Sequence, residues 1–189
     1  MSVPRRLLFC GLALLLALPA AAQKHRDPLT DAEVDQLREV AQEPDARLKL
    51  WVKFVRARVA ALDQARANPK ASERVPRTHA LLEDLANMAD EMDDNVDTYA
   101  RDKADIRKSL KDVIDVDAEL QAKLKALKEA GDATTARDLP EYSFVLDNAI
   151  ESVDASLDGA RETLAQQVEQ FKNKKDDEKK KKKQPAKMG

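Results

Sequence analysis

Apolar residues recur every three or four positions along most of this chain, the spacing of helices that bury one stripe and expose the rest. The first such stretch is short. Thr30 stands three residues before Glu33, a capping-box pairing that starts a helix running to about Gln42, with Val34, Leu37 and Ala41 as its stripe. Pro44 then sits where a first turn tolerates it. Leu48, Val52, Val55, Val59 and Leu62, thickened by Trp51 and Phe54, carry a second helix to about Ala67, where Asn68-Pro69 stops it.

Pro76 places the next start near Arg77. From there the stripe runs through Leu81, Leu85, Met88, Met92, Val96 and Tyr99 into Ile106, Leu110, Val113, Leu120, Leu124 and Leu127, with no Gly or Pro until Gly131. A single helix over 77–130 would reach roughly 80 Å. Its weak place is Arg101-Asp102-Lys103-Ala104-Asp105, where Lys103 falls in the stripe. The pattern is compatible with a break there or with one rod. A loop from Gly131 to Arg137 leads to a last helix beginning near Asp138 and Pro140, with Leu146, Ile150, Val153, Leu157, Leu164, Val168 and Phe171 as its stripe. Gly159 lies off that stripe and costs about 1 kcal/mol against Ala.

These elements predict an all-α chain. Residues 30–171 are expected to form an elongated up-and-down bundle of three to four long amphipathic helices, with the short N-terminal helix against it. Short connections make successive helices antiparallel neighbours, and a stripe period near 3.5 favours coiled-coil-like crossing angles of roughly 20°. Monomer and homodimer both satisfy stripes of this kind.

The two ends read differently. Arg5 and Arg6, an apolar run from Leu7 to Leu18, and Ala20-Ala21-Ala22 after Pro19 have the form of a secretory signal peptide over residues 1–22. The apolar run is shorter than the roughly 20 residues a bilayer span takes, so export with cleavage is expected, leaving no membrane span and a periplasmic or extracellular protein. Residues 23–29 form a flexible lead-in. Beyond Phe171 only Ala186 and Met188 are apolar, and 172–189 read as a disordered, Lys-rich tail.

Charge sharpens that division. The chain carries −2, and removing Arg5 and Arg6 with the signal leaves −4. Nine Lys against Asp176, Asp177 and Glu178 give the tail +6, so the body over 23–171 holds −10. Lys179, Lys180, Lys181, Lys182 and Lys183 run unbroken and are the candidate contact with an anionic surface. Cations at a helix C-terminus also serve simply to solubilise. Cys10 is the only cysteine and falls within the signal, so disulfide and thiol chemistry is excluded after cleavage.

Candidate chemistry is sparse. The histidines are His25 and His79, and no nucleophile turn accompanies either. No Glu-x-x-His occurs, so the charge-balanced ligand set of a di-iron bundle is missing. Asp115-Val116-Asp117-Ala118-Glu119 resembles the start of a calcium loop but lacks the glycine and lies in a helical pattern. Asp90, Glu91, Asp93, Asp94 and Asp97 read as a solvated face. Trp51, Phe54 and Tyr99 belong to the apolar seams, while Tyr142 does not. No catalytic, cofactor or metal residue is expected, and no nucleic-acid partner.

Asp27-Pro28-Leu29-Thr30-Asp31-Ala32-Glu33-Val34-Asp35-Gln36-Leu37-Arg38, leading into Glu43-Pro44-Asp45-Ala46-Arg47-Leu48-Lys49-Leu50, resembles the opening of uncharacterised exported helical proteins of bacteria, mainly over residues 27–62. That resemblance implies no activity, cofactor or site. The function expected from the residues is a non-enzymatic envelope binding or scaffold protein, its partner an envelope protein or anionic envelope surface. A periplasmic holdase chaperone is the alternative, and a metal-binding or enzymatic bundle ranks last.

Overall fold

The computed structural model describes residues 27–183, with side chains as far as Lys174. The expected signal peptide, and the lead-in up to Arg26, lie outside the described residues. Five helices follow one another: α1 (Asp31–Glu39), α2 (Pro44–Ala67), α3 (Arg74–Arg101), α4 (Arg107–Glu129) and α5 (Ala133–Lys183). Thr30 caps α1 as the spacing predicts. Its hydroxyl accepts the Glu33 N–H at 3.3 Å, and the Glu33 carboxylate accepts the Thr30 N–H at 2.8 Å.

The long apolar run breaks after Arg101. Lys103 adopts φ 59°, the left-handed conformation, its N–H donates to the Ala100 carbonyl at 3.0 Å, and the Ala104 N–H donates to the Tyr99 carbonyl at 3.0 Å. Those two bonds define a Schellman C-cap with lysine where glycine is usual. Tyr99 and Ala104 pack on the core on either side of it, the apolar contact that accompanies the motif. The stripe fails at Lys103 because the residue leaves the helix there.

Two helix starts differ from expectation. α3 begins at Arg74, so Pro76 occupies its first turn, where a missing N–H costs nothing. α5 begins at Ala133 because Asp132 Oδ1 accepts the N–H groups of Thr134 at 3.0 Å and Thr135 at 2.9 Å. Pro140 lies inside this helix at the loss of one backbone hydrogen bond.

The packing order is also not the sequential one. Arg47 reaches Asn95 and Arg58 reaches Asp84, so α2 and α3 are antiparallel. Asp117 meets Ser156 and Lys128 meets Asp147, so α4 and α5 are antiparallel too. Arg74 pairs with Asp138 and Asp93 approaches Gly159, which makes α3 and α5 parallel neighbours. Asp45 meets Ser109 and Asp63 meets Lys123, which makes α2 and α4 parallel neighbours. Helices α3 and α4, joined by the short linker, face each other only across the diagonal.

Leu48, Leu82, Leu85, Met88, Met92, Leu110, Leu120, Leu124 and Leu146 are fully buried between these four helices. The inner face of α5 continues through Ala160, Thr163 and Gln167, while Val168, expected inside, is 46% exposed. Gln167 takes the inner place because its amide is needed there. It donates to the half-buried Ala104 carbonyl at 2.9 Å and accepts the buried Ile106 N–H at 3.1 Å, satisfying two linker groups at once. Past Phe171 the backbone is helical to Lys183, where composition predicts a disordered tail over 172–189, and residues 184–189 lie outside the described residues.

Gln167→Ala strands the Ile106 N–H and is expected to lower unfolding stability in urea by about 1–3 kcal/mol. Lys103→Gly relieves the left-handed strain and is expected to raise it by on the order of 1 kcal/mol, read from the same titrations.

Candidate functional site

Lys179 to Lys183, the candidate surface contact, fall on the last turns of α5, beyond Gln167, the last buried one among the described side chains. No other candidate named from the sequence joins them. His79 is half exposed and stands 3.7 Å from Glu83 one turn on. Trp51 and Phe54 are buried, and Tyr99 is half-buried against the core. Tyr142 corrects its reading: it is 2% exposed and belongs to the core. Its hydroxyl accepts from Arg66 at 2.8 Å, and Arg66 also donates to Thr135 at 2.8 Å. The Arg74–Asp138 pair lies buried near the same end of the bundle, so α5 starts on a polar anchor rather than in a loop.

The short helix α1 rests on α2 through arginines. Arg58 donates to both Glu33 oxygens, at 2.6 and 2.9 Å, and to the Pro28 carbonyl at 2.7 Å, while Arg47 donates to the Leu37 carbonyl at 2.9 Å. Burial alone pushes the Glu33 carboxyl up, but hydrogen bonds from Arg58 and Thr30 outweigh it and hold the group below the usual carboxylate range. Between α1 and the bundle lies a cleft of about 470 Å³, walled by Pro28, Leu29, Val34, Leu37 and Trp51 and edged by Asp27, Arg38, Arg47 and Glu91. A cleft of this volume is in the range of small-ligand sites.

The sequence reading missed a second cluster. Asp117 is 0% exposed. Its Oδ2 accepts the Ser156 hydroxyl at 2.9 Å, and its Oδ1 is buried with no hydrogen-bond partner. Burial, only partly offset by Ser156 and reinforced by the charge of Asp93, pushes the Asp117 carboxyl up to about 7. Asp93 itself departs from the solvated face expected of its cluster. It is half-buried, and a Cβ added at Gly159 would lie 2.8 Å from its Oδ1. Gly159 is therefore an inner residue that admits this carboxylate. Burial first, then Asp97, Asp94 and Asp90, push the Asp93 carboxyl up as well. The stripe of α4 holds Val113, Val116 and Leu120, and Asp117 stands beside Val116 on the same inner face, four residues after Val113 and three before Leu120. Asp115 and Glu119, its companions in the calcium-loop reading, are exposed.

Among the described residues, no group of three or more His, Cys, Asp or Glu is placed to hold a metal ion. No described helix is long and apolar enough to cross a membrane. No family model, curated protein or solved structure matches the chain.

Glu33 carries a stability prediction with a definite sign. A carboxyl held below its unfolded value contributes stability above the ordinary carboxylate range and loses it as pH falls through the folded value. Acidification is therefore expected to lower the protection of α1 amides, corrected for the intrinsic pH dependence of exchange, before the rest of the bundle loosens. Glu33→Gln is expected to show that lower α1 protection already at neutral pH, by hydrogen-exchange mass spectrometry.

Proposed function

We propose that this chain is an exported helical-bundle binding or scaffold protein of the cell envelope, without catalytic activity, whose Lys run contacts anionic envelope material. The observation that carries the reading is the separation of the basic run from the packed body. Among the described side chains of α5 the last buried one is Gln167, and Lys179 lies twelve residues further, about 18 Å along a helix. With the body at −10, the run is kept from general adhesion of the whole surface to anions.

The strength is modest. Each Lys near an anionic surface contributes about 1 kcal/mol, so five give at most ~5 kcal/mol, a dissociation constant of about 10⁻⁴ M. Such a contact supports localisation of many copies or reinforces a second one. A holdase reading is the alternative, and Phe144, 87% exposed on α5, favours it. A single exposed ring is ordinary on a protein surface, so this reading ranks second.

Co-sedimentation of the protein with anionic liposomes and with cell-wall sacculi, beside a version ending at Phe171, tests the proposal. Binding by the longer form is expected to be lost at high salt and absent from the shorter one. Equal binding by both forms would remove the Lys run from the function. Suppressed aggregation of a denatured client by the shorter form would instead support the holdase.

A further inference from the structure

Most buried polar groups of this bundle have partners. Arg74 pairs with Asp138, Arg58 with Glu33 and Asp84, and Gln167 with the linker backbone, while Arg74 Nε, Trp51 Nε1 and Thr78 Oγ1 are single neutral or donor atoms left without a partner. The seam where α5 meets α3 and α4 differs. Two carboxyl groups enter it from two helices, Asp93 from α3 and Asp117 from α4, and α5 answers with Ser156 and Gly159. Behind Asp93 stand Asp90, Asp94 and Asp97, which add negative charge. The charged residues of α5 nearest in sequence are engaged elsewhere: Asp154 with Gln121 and Lys125, and Asp158 with Arg161. On α4, Asp117 has one hydroxyl on one oxygen and nothing on the other.

A buried carboxylate without a cation or a full set of donors is strongly unfavourable, while a neutral carboxyl in the same place is tolerated. We propose that Asp117, set against Asp93, holds a proton in the closed bundle, and that losing it loosens the seam between α5 and the α3 and α4 helices. The ionised group leaves Oδ1 without a donor and faces like charge, and entry of water along the Ser156–Gly159 turn relieves both. Gly159 makes that turn the thinnest part of the seam, since no side chain stands between Asp93 and the α5 backbone.

The direction follows from linkage. The unfolded chain gives up this proton in the ordinary carboxylate range, whereas the folded chain keeps it until about pH 7. The contribution of Asp117 is therefore fully present below the ordinary range and is lost as pH rises toward neutrality. Through that window one retained proton changes the folding equilibrium constant by up to tenfold per pH unit. Glu33 acts in the opposite sense at the acid end, which separates the two effects by location as well as by pH.

The test is hydrogen exchange of the full chain across mildly acidic to mildly alkaline pH, corrected for the intrinsic pH dependence of exchange, beside Asp117→Asn. Protection over 113–120 and 153–160 is expected to fall by about tenfold or more from mildly acidic to neutral pH in the unaltered chain and to level off above it, in line with one linked proton. It is expected to fall far less in Asp117→Asn, which keeps the acceptor for Ser156 and cannot ionise, leaving only the same-signed dependence of the raised Asp93 carboxyl. Asp93→Asn is expected to shrink the fall, since it removes the facing charge. The same pH slope in the unaltered chain and in Asp117→Asn would overturn the proposal. Carboxyl-carbon NMR of the unaltered chain decides the matter even where Asp117→Asn fails to fold. A titration of Asp117 in the ordinary carboxylate range would equally overturn it.

Discussion

The Gln167 side chain holds the point on which the arrangement turns. Its amide bridges the Ala104 carbonyl and the Ile106 N–H, the two backbone groups exposed when the chain reverses after the left-handed Lys103. An α3–α4 rod would present one long stripe with nothing to cover its ends. Reversal converts that stripe into two, which α2 and α5 cover from either side. Because the reversal crosses the diagonal, the Ile106 N–H falls inside the bundle and needs a protein partner. Gln167 is that partner, and its demand for an inner position is what turns Val168 outward.

Polar groups elsewhere in the core constrain how the helices sit. Leucine seams tolerate sliding by a turn with little loss, since one leucine replaces another. Arg74 on Asp138, Arg66 on Tyr142 and Thr135, and Asp117 on Ser156 do not, because each slip would leave a buried group unpaired. The register of α5 is thus pinned near its start, its middle and, through Gln167, its far end. With no cysteine after residue 10, this pinning has no covalent support.

Much of the fold was legible because the stripes are regular. The capping box at Thr30, Pro44 at the start of α2 and the end of that helix near Ala67 all follow from local rules. The break near Arg101 was visible as a fault at Lys103 but not as a decision, since a lysine in the left-handed region has no sequence signature as strong as glycine's. The starts of α3 and α5 were set too late because Pro76 and Pro140 were read as the first acceptable helical positions. In fact a proline fits within a first turn, and α5 accepts one further in, with Asp132 supplying the cap. Tyr142 stands four residues before Leu146, in register with its stripe, so its place in the core was legible after all. Asp117 was hidden by reading the acids 115–119 as one motif, when a period of three to four separates Asp117 from its neighbours and places it with Val113 and Leu120. The Lys run was legible as charge alone.

The packing order has a consequence for how the chain divides. α2 with α3 and α4 with α5 are each antiparallel hairpins of consecutive helices, laid side by side in the same orientation and joined only through the five residues between Arg101 and Arg107. Each hairpin leaves one broad apolar flank that the other fills. The molecule is in effect a heterodimer written on one strand, with the linker as its tether. Domain exchange between copies would need only that tether to straighten, each hairpin finding its complement in another chain.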